Sequence, residues 1–230
     1  MKQPDGRLFH RHRAGNSAVE ANADDYAYLT WAALELYFAT FEPRYLEQAV
    51  SLAGRLIDDF WDAKNGGLFF TSINSEKLVV RKKETYDGAT PSANGVAMWN
   101  FLRLSRLTGN AALEKKAFEI SRSFSGDIRR HSSAHNMSLL GLDFGLGPTS
   151  EVVVVGESAE AKSFAQALTF KFAPHAVVLL KTGATSSDLS RLAPFTEQLR
   201  AQGKKTAIYI CEDFSCQKPT EDLAEALARL

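Results

Sequence analysis

The residues best placed to do chemistry are carboxylates standing just ahead of apolar, helix-forming stretches. They are Asp24 and Asp25 before Tyr26-Ala27, and Asp87 in the run Asp87-Gly88-Ala89-Thr90-Pro91-Ser92-Ala93-Asn94. A carboxylate in such a place caps free backbone N–H groups and meets the positive end of the helix dipole, which is a structural use. Where several helix ends open into one cavity, the same groups bind sugar hydroxyls or work as an acid and a base. Asp25 and Asp87 are the candidates for that second use, because they precede two consecutive buried helices. Ser92 is a natural N-cap after Pro91 and a candidate ligand-binding residue; Asn94 is another, since its amide both donates and accepts. Tyr26 is a candidate positioning ring. With Tyr28, Trp31, Trp61, Tyr86 and Trp99 it shares a choice between stacking on a sugar face and filling the core.

Other constellations are thinner. Glu84 and Asp87 are spaced to put two carboxylates in one loop, but they also read as a solvated charge run. His131 and His135 stand four apart, which on a helix would put both imidazoles on one face. No third ligand follows at a metal-binding spacing, so no metal is expected. His10 and His12 share a face of an extended segment among basic neighbours. The apolar run Glu151 to Gly156 enters Glu157-Ser158 without the glycines and lysine of a phosphate-binding loop, so no nucleotide or other cofactor is expected. Cys211 and Cys216, with four residues between them, are candidate redox residues. A reversible disulfide and a pair of buried, idle thiols both fit their spacing.

Two imperfect repeats must position these residues. Leu34 and Leu102 are 68 positions apart and Leu46 and Leu113 are 67 apart, a period that predicts stacked helical hairpins in a toroid or solenoid. In the first repeat a helix over Tyr26 to Thr40 is apolar all round and should be covered on every side, as an inner helix. After Pro43, an amphipathic outer helix carries Leu46, Ala49, Ala53, Leu56 and Phe60. Asn65-Gly66-Gly67 then predicts a turn into a strand over Leu68 to Thr71, with a return strand over Leu78 to Arg81. The second repeat has a buried helix over Ser92 to Leu107 and an amphipathic one with Leu113, Ala117, Ile120 and Phe124. Part of a third unit lies around Met137 to Phe144.

After Gly147-Pro148 the pattern changes to the buried strand Glu151 to Gly156, a helix Ser158 to Phe172, a strand Ala176 to Leu180, a helix Ser190 to Gln202, a strand Lys204 to Cys211 and a helix Thr220 to Leu230. That alternation predicts a small three-stranded α/β unit with a parallel sheet. The expected organisation is a mainly α chain with an α/β end: an incomplete (α/α) toroid over 1–147 and the α/β unit over 148–230. Arg7 to Arg13 reads as a strand or arm before Gly15.

Composition narrows the partners. Among 230 residues, 27 acidic and 27 basic side chains leave no net field for a phosphate backbone or an anionic membrane surface, so neither nucleic acid nor membrane is expected. There is no apolar leader or membrane-length run, from which a cytoplasmic address is expected.

At Asp24-Asp25-Tyr26-Ala27, Gly66-Gly67-Leu68-Phe69-Phe70-Thr71, Asp87 to Asn94, and the ending Ile208-Tyr209-Ile210-Cys211-x4-Cys216-Gln217-Lys218-Pro219, the chain resembles the YyaL-like family of spermatogenesis-associated, thioredoxin-domain-containing proteins. The resemblance implies a six-hairpin (α/α) toroid, related in shape to sugar epimerases and unsaturated glycuronyl hydrolases. It also implies that this chain corresponds to the carboxyl-terminal part of such a protein, the thioredoxin-like domain lying outside it. Two functions follow as expectations. One is a cavity at the inner-helix mouths that binds or processes a carbohydrate-like molecule, with Asp25 and Asp87 as acid/base or hydroxyl-binding groups and Tyr26, Ser92 and Asn94 around them. The other is a non-catalytic module whose uncovered helix face docks on a thioredoxin-like domain, another redox partner or a second copy.

Overall fold

The computed structural model describes every residue except Met1, Lys2, Pro4, Lys77, Ser158 and Lys204. About half of the chain is helical, and a small mixed sheet lies toward its end. Strands β1 (Phe9–Arg13) and β2 (Asn16–Glu20) form an antiparallel hairpin. Ala14 and Gly15 turn it with φ of 49° and 79°, the positive values that a two-residue turn matched to strand twist requires.

The helices begin and end where local chemistry says they should. Helix α1 (Ala23–Thr40) carries a capping box in which the Asp25 carboxylate accepts from the Asn22 backbone N–H at 2.8 Å. Helix α2 (Pro43–Phe60) starts on Pro43, whose missing N–H costs nothing in a first turn. Helix α3 (Ala93–Thr108) is capped by the Ser92 hydroxyl, which accepts from Gly95 N–H, and it stops at Gly109, left-handed at φ 75°. Helix α4 (Ala111–Arg130) is capped by Asn110, and α5 (Asn136–Leu146) packs beside α3. Helix α3 packs against both α1 and α5, so nearly all of it is buried, whereas α2 and α4 bury only one face each. Helix α1 departs from the all-round burial expected of it: Leu29 and Leu36 lie more than two fifths exposed, because α3 covers one flank and no described element covers the other.

The strands expected over Leu68 to Thr71 and Leu78 to Arg81 do not form among the described residues. Leu68 makes only an isolated bridge to Trp61, and Phe70 N–H donates once, to the Lys82 carbonyl. The cause is a side chain. Asn94 accepts from the Leu68 N–H at 2.7 Å and donates to its carbonyl at 3.0 Å, so both groups that would have paired with a second strand are occupied.

In the α/β part, β3 (Ser150–Val155) is central, with β4 (Ala176–Lys181) parallel on one side and β5 (Ala207–Glu212) antiparallel on the other; β6 (Ser215–Cys216) hairpins back on β5. Helix α6 (Ala159–Phe170) lies against β4, and the start expected for it at Ser158 falls outside the described residues. The sheet is thus mixed and four-stranded, where a three-stranded parallel one was expected. The helix expected over 190–202 is instead α7 (Ser186–Leu192), ended just before Pro194, which has no N–H to continue the ladder. With no crossover helix after Pro194 to return the chain to its starting end, β5 runs antiparallel. The start expected for β5 at Lys204 also falls outside the described residues, and α8 (Leu223–Ala228) closes the chain. One continuous core, from Leu34 and Phe101 through Val153 and Leu179, joins the helices to the sheet.

Candidate functional site

The mouths of α1 and α3 open on a cavity of about 240 Å³ lined by Asp24, Phe70, Glu84, Tyr86, Thr90 and Ser92. Asp24 sits in the first turn of α1, and Glu84 and Tyr86 belong to the connector entering the second repeat. Burial, and next the negative charge of Asp25, hold the Asp24 carboxyl above its ordinary pKa. Tyr86 stands 66% exposed beside it and Phe70 38%, a pair of ring faces in reach of a ligand.

The residues singled out by sequence are placed differently. Asp87 accepts from Ser92 N–H at 2.8 Å through one oxygen and from Met137 N–H at 2.7 Å through the other, while its own N–H donates to the Ala134 carbonyl. Its carboxylate thus ties the first turn of α5 to the cap of α3. Asp25 is spent on Asn22 N–H and on the His10 ring, whose Nδ1 lies 2.8 Å from Oδ2; that hydrogen bond raises the His10 pKa. Tyr26 is 2% exposed, tilted against Phe60, and its hydroxyl accepts from Leu8 N–H at 3.0 Å. Asn94, 1% exposed, adds a third bond, to the Glu84 carbonyl at 2.8 Å. Ser92 and Asn94 line the cavity, but their polar side-chain atoms serve the backbone. Asp24 was legible as part of the Asp24-Asp25 pair; Glu84 was legible as half of a Glu84–Asp87 loop pair or a solvated charge run, and Tyr86 as a ring that either stacks on a sugar or fills the core.

The glycine turn fixes this arrangement. Gly66 and Gly67 have φ of 74° and 79°, and a Cβ on Gly67 would stand 3.0 Å from the Phe124 ring and 3.3 Å from Asn94 Oδ1.

Other polar clusters are accounted for by structure. His131 ends α4 and His135 follows a separate 3-10 turn (Ser132–Ala134), so the two imidazoles do not share a helix face. Among the described residues no group of three His, Cys, Asp or Glu gathers as metal ligands would. A hollow of about 190 Å³ between helices and sheet is lined by Glu35, Phe38, Trp99 and Arg103. There the Arg103 guanidinium, packed over Phe38 and Trp99, gives two bonds of 2.8 Å to one oxygen of Glu35. Cys211 and Cys216 are joined in a disulfide across the β5–β6 hairpin. The tip of that hairpin binds both α3 and β3: Asp213 pairs with Arg106 at 2.8 Å, and Phe214 N–H donates to the buried Glu151 at 3.0 Å.

No helix is long and apolar enough to cross a membrane among the described residues. No family model matches the chain. It is 32% identical over 205 residues to spermatogenesis-associated protein 20 of Homo sapiens, a match covering 88% of this chain and 26% of the human protein. The Rattus norvegicus protein of the same name is 33% identical over 221 residues, 92% of this chain and 28% of the relative. An uncharacterised protein of Caenorhabditis elegans is 31% identical over 214 residues, 92% of this chain and 28% of its own length. The chain therefore spans about a quarter of the length of these relatives, and over that span it belongs to the spermatogenesis-associated protein 20 family.

Proposed function

We propose that the cleft at the mouths of α1 and α3 binds a polyhydroxylated, carbohydrate-like molecule, and that the helical hairpins are a segment of an (α/α) toroid. The observation that carries the binding reading is Asp24: a partly buried carboxyl with a raised pKa lines the same cavity as Glu84 and the exposed ring of Tyr86. A proton-bearing carboxyl donates to one hydroxyl, an ionised one accepts from another, and an aromatic face covers the C–H side of a sugar ring. Asp24 and Glu84, which line the cavity, rather than Asp25 and Asp87 are the hydroxyl-binding pair in this reading: Asp24 gives Oδ1 to the Asp25 N–H at 3.0 Å, whereas Asp25 and Asp87 have both oxygens engaged by backbone N–H groups and His10.

The toroid reading is supported by repeat symmetry. Shifted by 68 positions, the exposed α1 stripe Leu29, Ala32, Leu36 and Ala39 becomes Ala97, Asn100, Leu104 and Leu107 of α3, all fully buried. Asn100 reaches α1 directly, donating to the Ala27 carbonyl at 2.8 Å. The α1 stripe thus has the register of a surface that packs on a neighbouring inner helix. The same stripe favours a second reading, in which this segment is a docking module for a further domain, such as a thioredoxin-like or other redox partner; the relatives are about four times as long as the matched stretch.

Thermal unfolding of the purified chain with a panel of neutral sugars and uronic acids tests the first reading. A sugar that raises the melting temperature in the wild type and not in Asp24→Asn supports it. Indifference to every sugar, with a cooperative melt, moves the assignment to docking.

A further inference from the structure

We infer that the ligand of this cleft is a chain of at least two linked rings that crosses Tyr86 and ends against His135, rather than a single sugar; this rests on the carbohydrate reading above. A second hollow, of about 530 Å³, adjoins the first and is lined by Glu84, Tyr86, Asp127, His131, Ser133 and His135. Glu84 and Tyr86 line both hollows, so the two share one ridge. Both residues are exposed, while Thr85 between them is buried, its hydroxyl 3.2 Å from that of Ser138. The ridge is therefore anchored from beneath and presents a carboxylate and a ring to either side. The smaller hollow alone falls short of the roughly 300–1,000 Å³ usual for a ligand pocket, whereas the larger one lies within that range.

His135 gives the second hollow its chemistry. It is 4% exposed, and its Nδ1 stands 2.6 Å from the Thr85 carbonyl. A carbonyl only accepts, so Nδ1 carries the proton, and in the neutral ring Nε2 holds a lone pair. No described residue hydrogen-bonds to Nε2. A buried imidazole whose tautomer is set from behind, in the wall of a hollow that also holds His131, Asp127 and Ser133, is a fixed acceptor for a ligand hydroxyl. Asp24 at one end and His135 at the other, with Tyr86 between them, make two subsites separated by an aromatic platform.

The test is a glycan array carrying neutral, amino and uronic sugars of one to six rings, followed by calorimetric titration of the best-bound series at each length. Affinity should rise at least tenfold from one ring to two or three. Tyr86→Ala, at an exposed position, should erase that rise. His135→Asn keeps a donor for the Thr85 carbonyl but removes the outward acceptor; it should weaken the longer sugars and leave the single ring unchanged. A single ring that binds as tightly as its oligomers, and whose binding Asp24→Asn abolishes, would overturn the inference and leave the cleft assignment standing. No binding at any length overturns both.

Discussion

The mouths of α1 and α3 are built from the same residue types and put them to opposite uses. At α3 the carboxylate of Asp87 has both oxygens claimed by backbone N–H groups, one on the cap of its own helix and one on the first turn of α5. At α1 Asp25 closes the capping box, while Asp24 lines the cavity, one oxygen accepting from Asp25 N–H at 3.0 Å and its ionised form disfavoured by burial. The difference lies in the partners. Asp87 reaches across to α5, the helix packed on α3, whereas Asp24 and Asp25, although α3 stands in the same place beside α1, bond to the cap and first turn of α1 itself and to His10. The same acidic position before a helix is a clamp to the next helix at one mouth and stays local at the other.

The sharpest way to break this comparison is Asn94→Ala. The change leaves the Leu68 N–H and carbonyl and the Glu84 carbonyl without their partner in a site that is 1% exposed, and should cost about 3 kcal/mol in urea unfolding. Asp87→Ala should follow at about 2 kcal/mol, since it removes two charge-assisted bonds at helix starts. A loss below about 0.5 kcal/mol there would mean that Asp87 is no clamp.

At the other mouth the effects should be small and pH-dependent. His10 has its pKa raised by Asp25, so its contribution is fully present below the unfolded value of about 6.5 and is lost as pH rises through the higher folded value. Melting temperatures measured from pH 5 to 8 should show that fall in the wild type and not in His10→Asn. Asp24 works the other way among acids. Its folded pKa is raised, so stability grows as pH drops through that value toward the unfolded one near 3.9. Asp24→Asn should flatten this dependence and leave stability at pH 7 the same or higher, by no more than about 0.5 kcal/mol. A larger loss in Asp24→Asn would make the two mouths alike.

Much of the architecture was legible because helices announce themselves locally. Pro43 and Gly109 mark helix boundaries by what they cannot or can do at a single residue, and the 68-residue register of Leu34 and Leu102 exposes the repeat. What stayed hidden depends on contacts far apart in sequence. Asn94 displaces a strand partner 26 positions away, and Asp87 meets an amide 50 positions on, so neither could be told from a ligand-binding group by its neighbours. The antiparallel course of β5 was likewise unreadable, because a buried strand shows the same apolar run whichever way it points. At the site, Tyr86 resembles any core tyrosine in sequence; only its exposure on the ridge separates it from Tyr26.

The α1 stripe bears on how the protein behaves as a population of molecules. Leu29 and Leu36 keep apolar area in water that any cover would remove, at roughly 25 cal/mol per Å². If a second copy is the cover, folding is coupled to encounter and the melting temperature becomes a function of protein concentration. Dilution from about 100 to about 1 μM should then lower it, and Leu36→Lys should abolish that dependence while leaving the dilute value unchanged. If the melt ignores dilution, the stripe is reserved for a surface that this chain does not supply to itself.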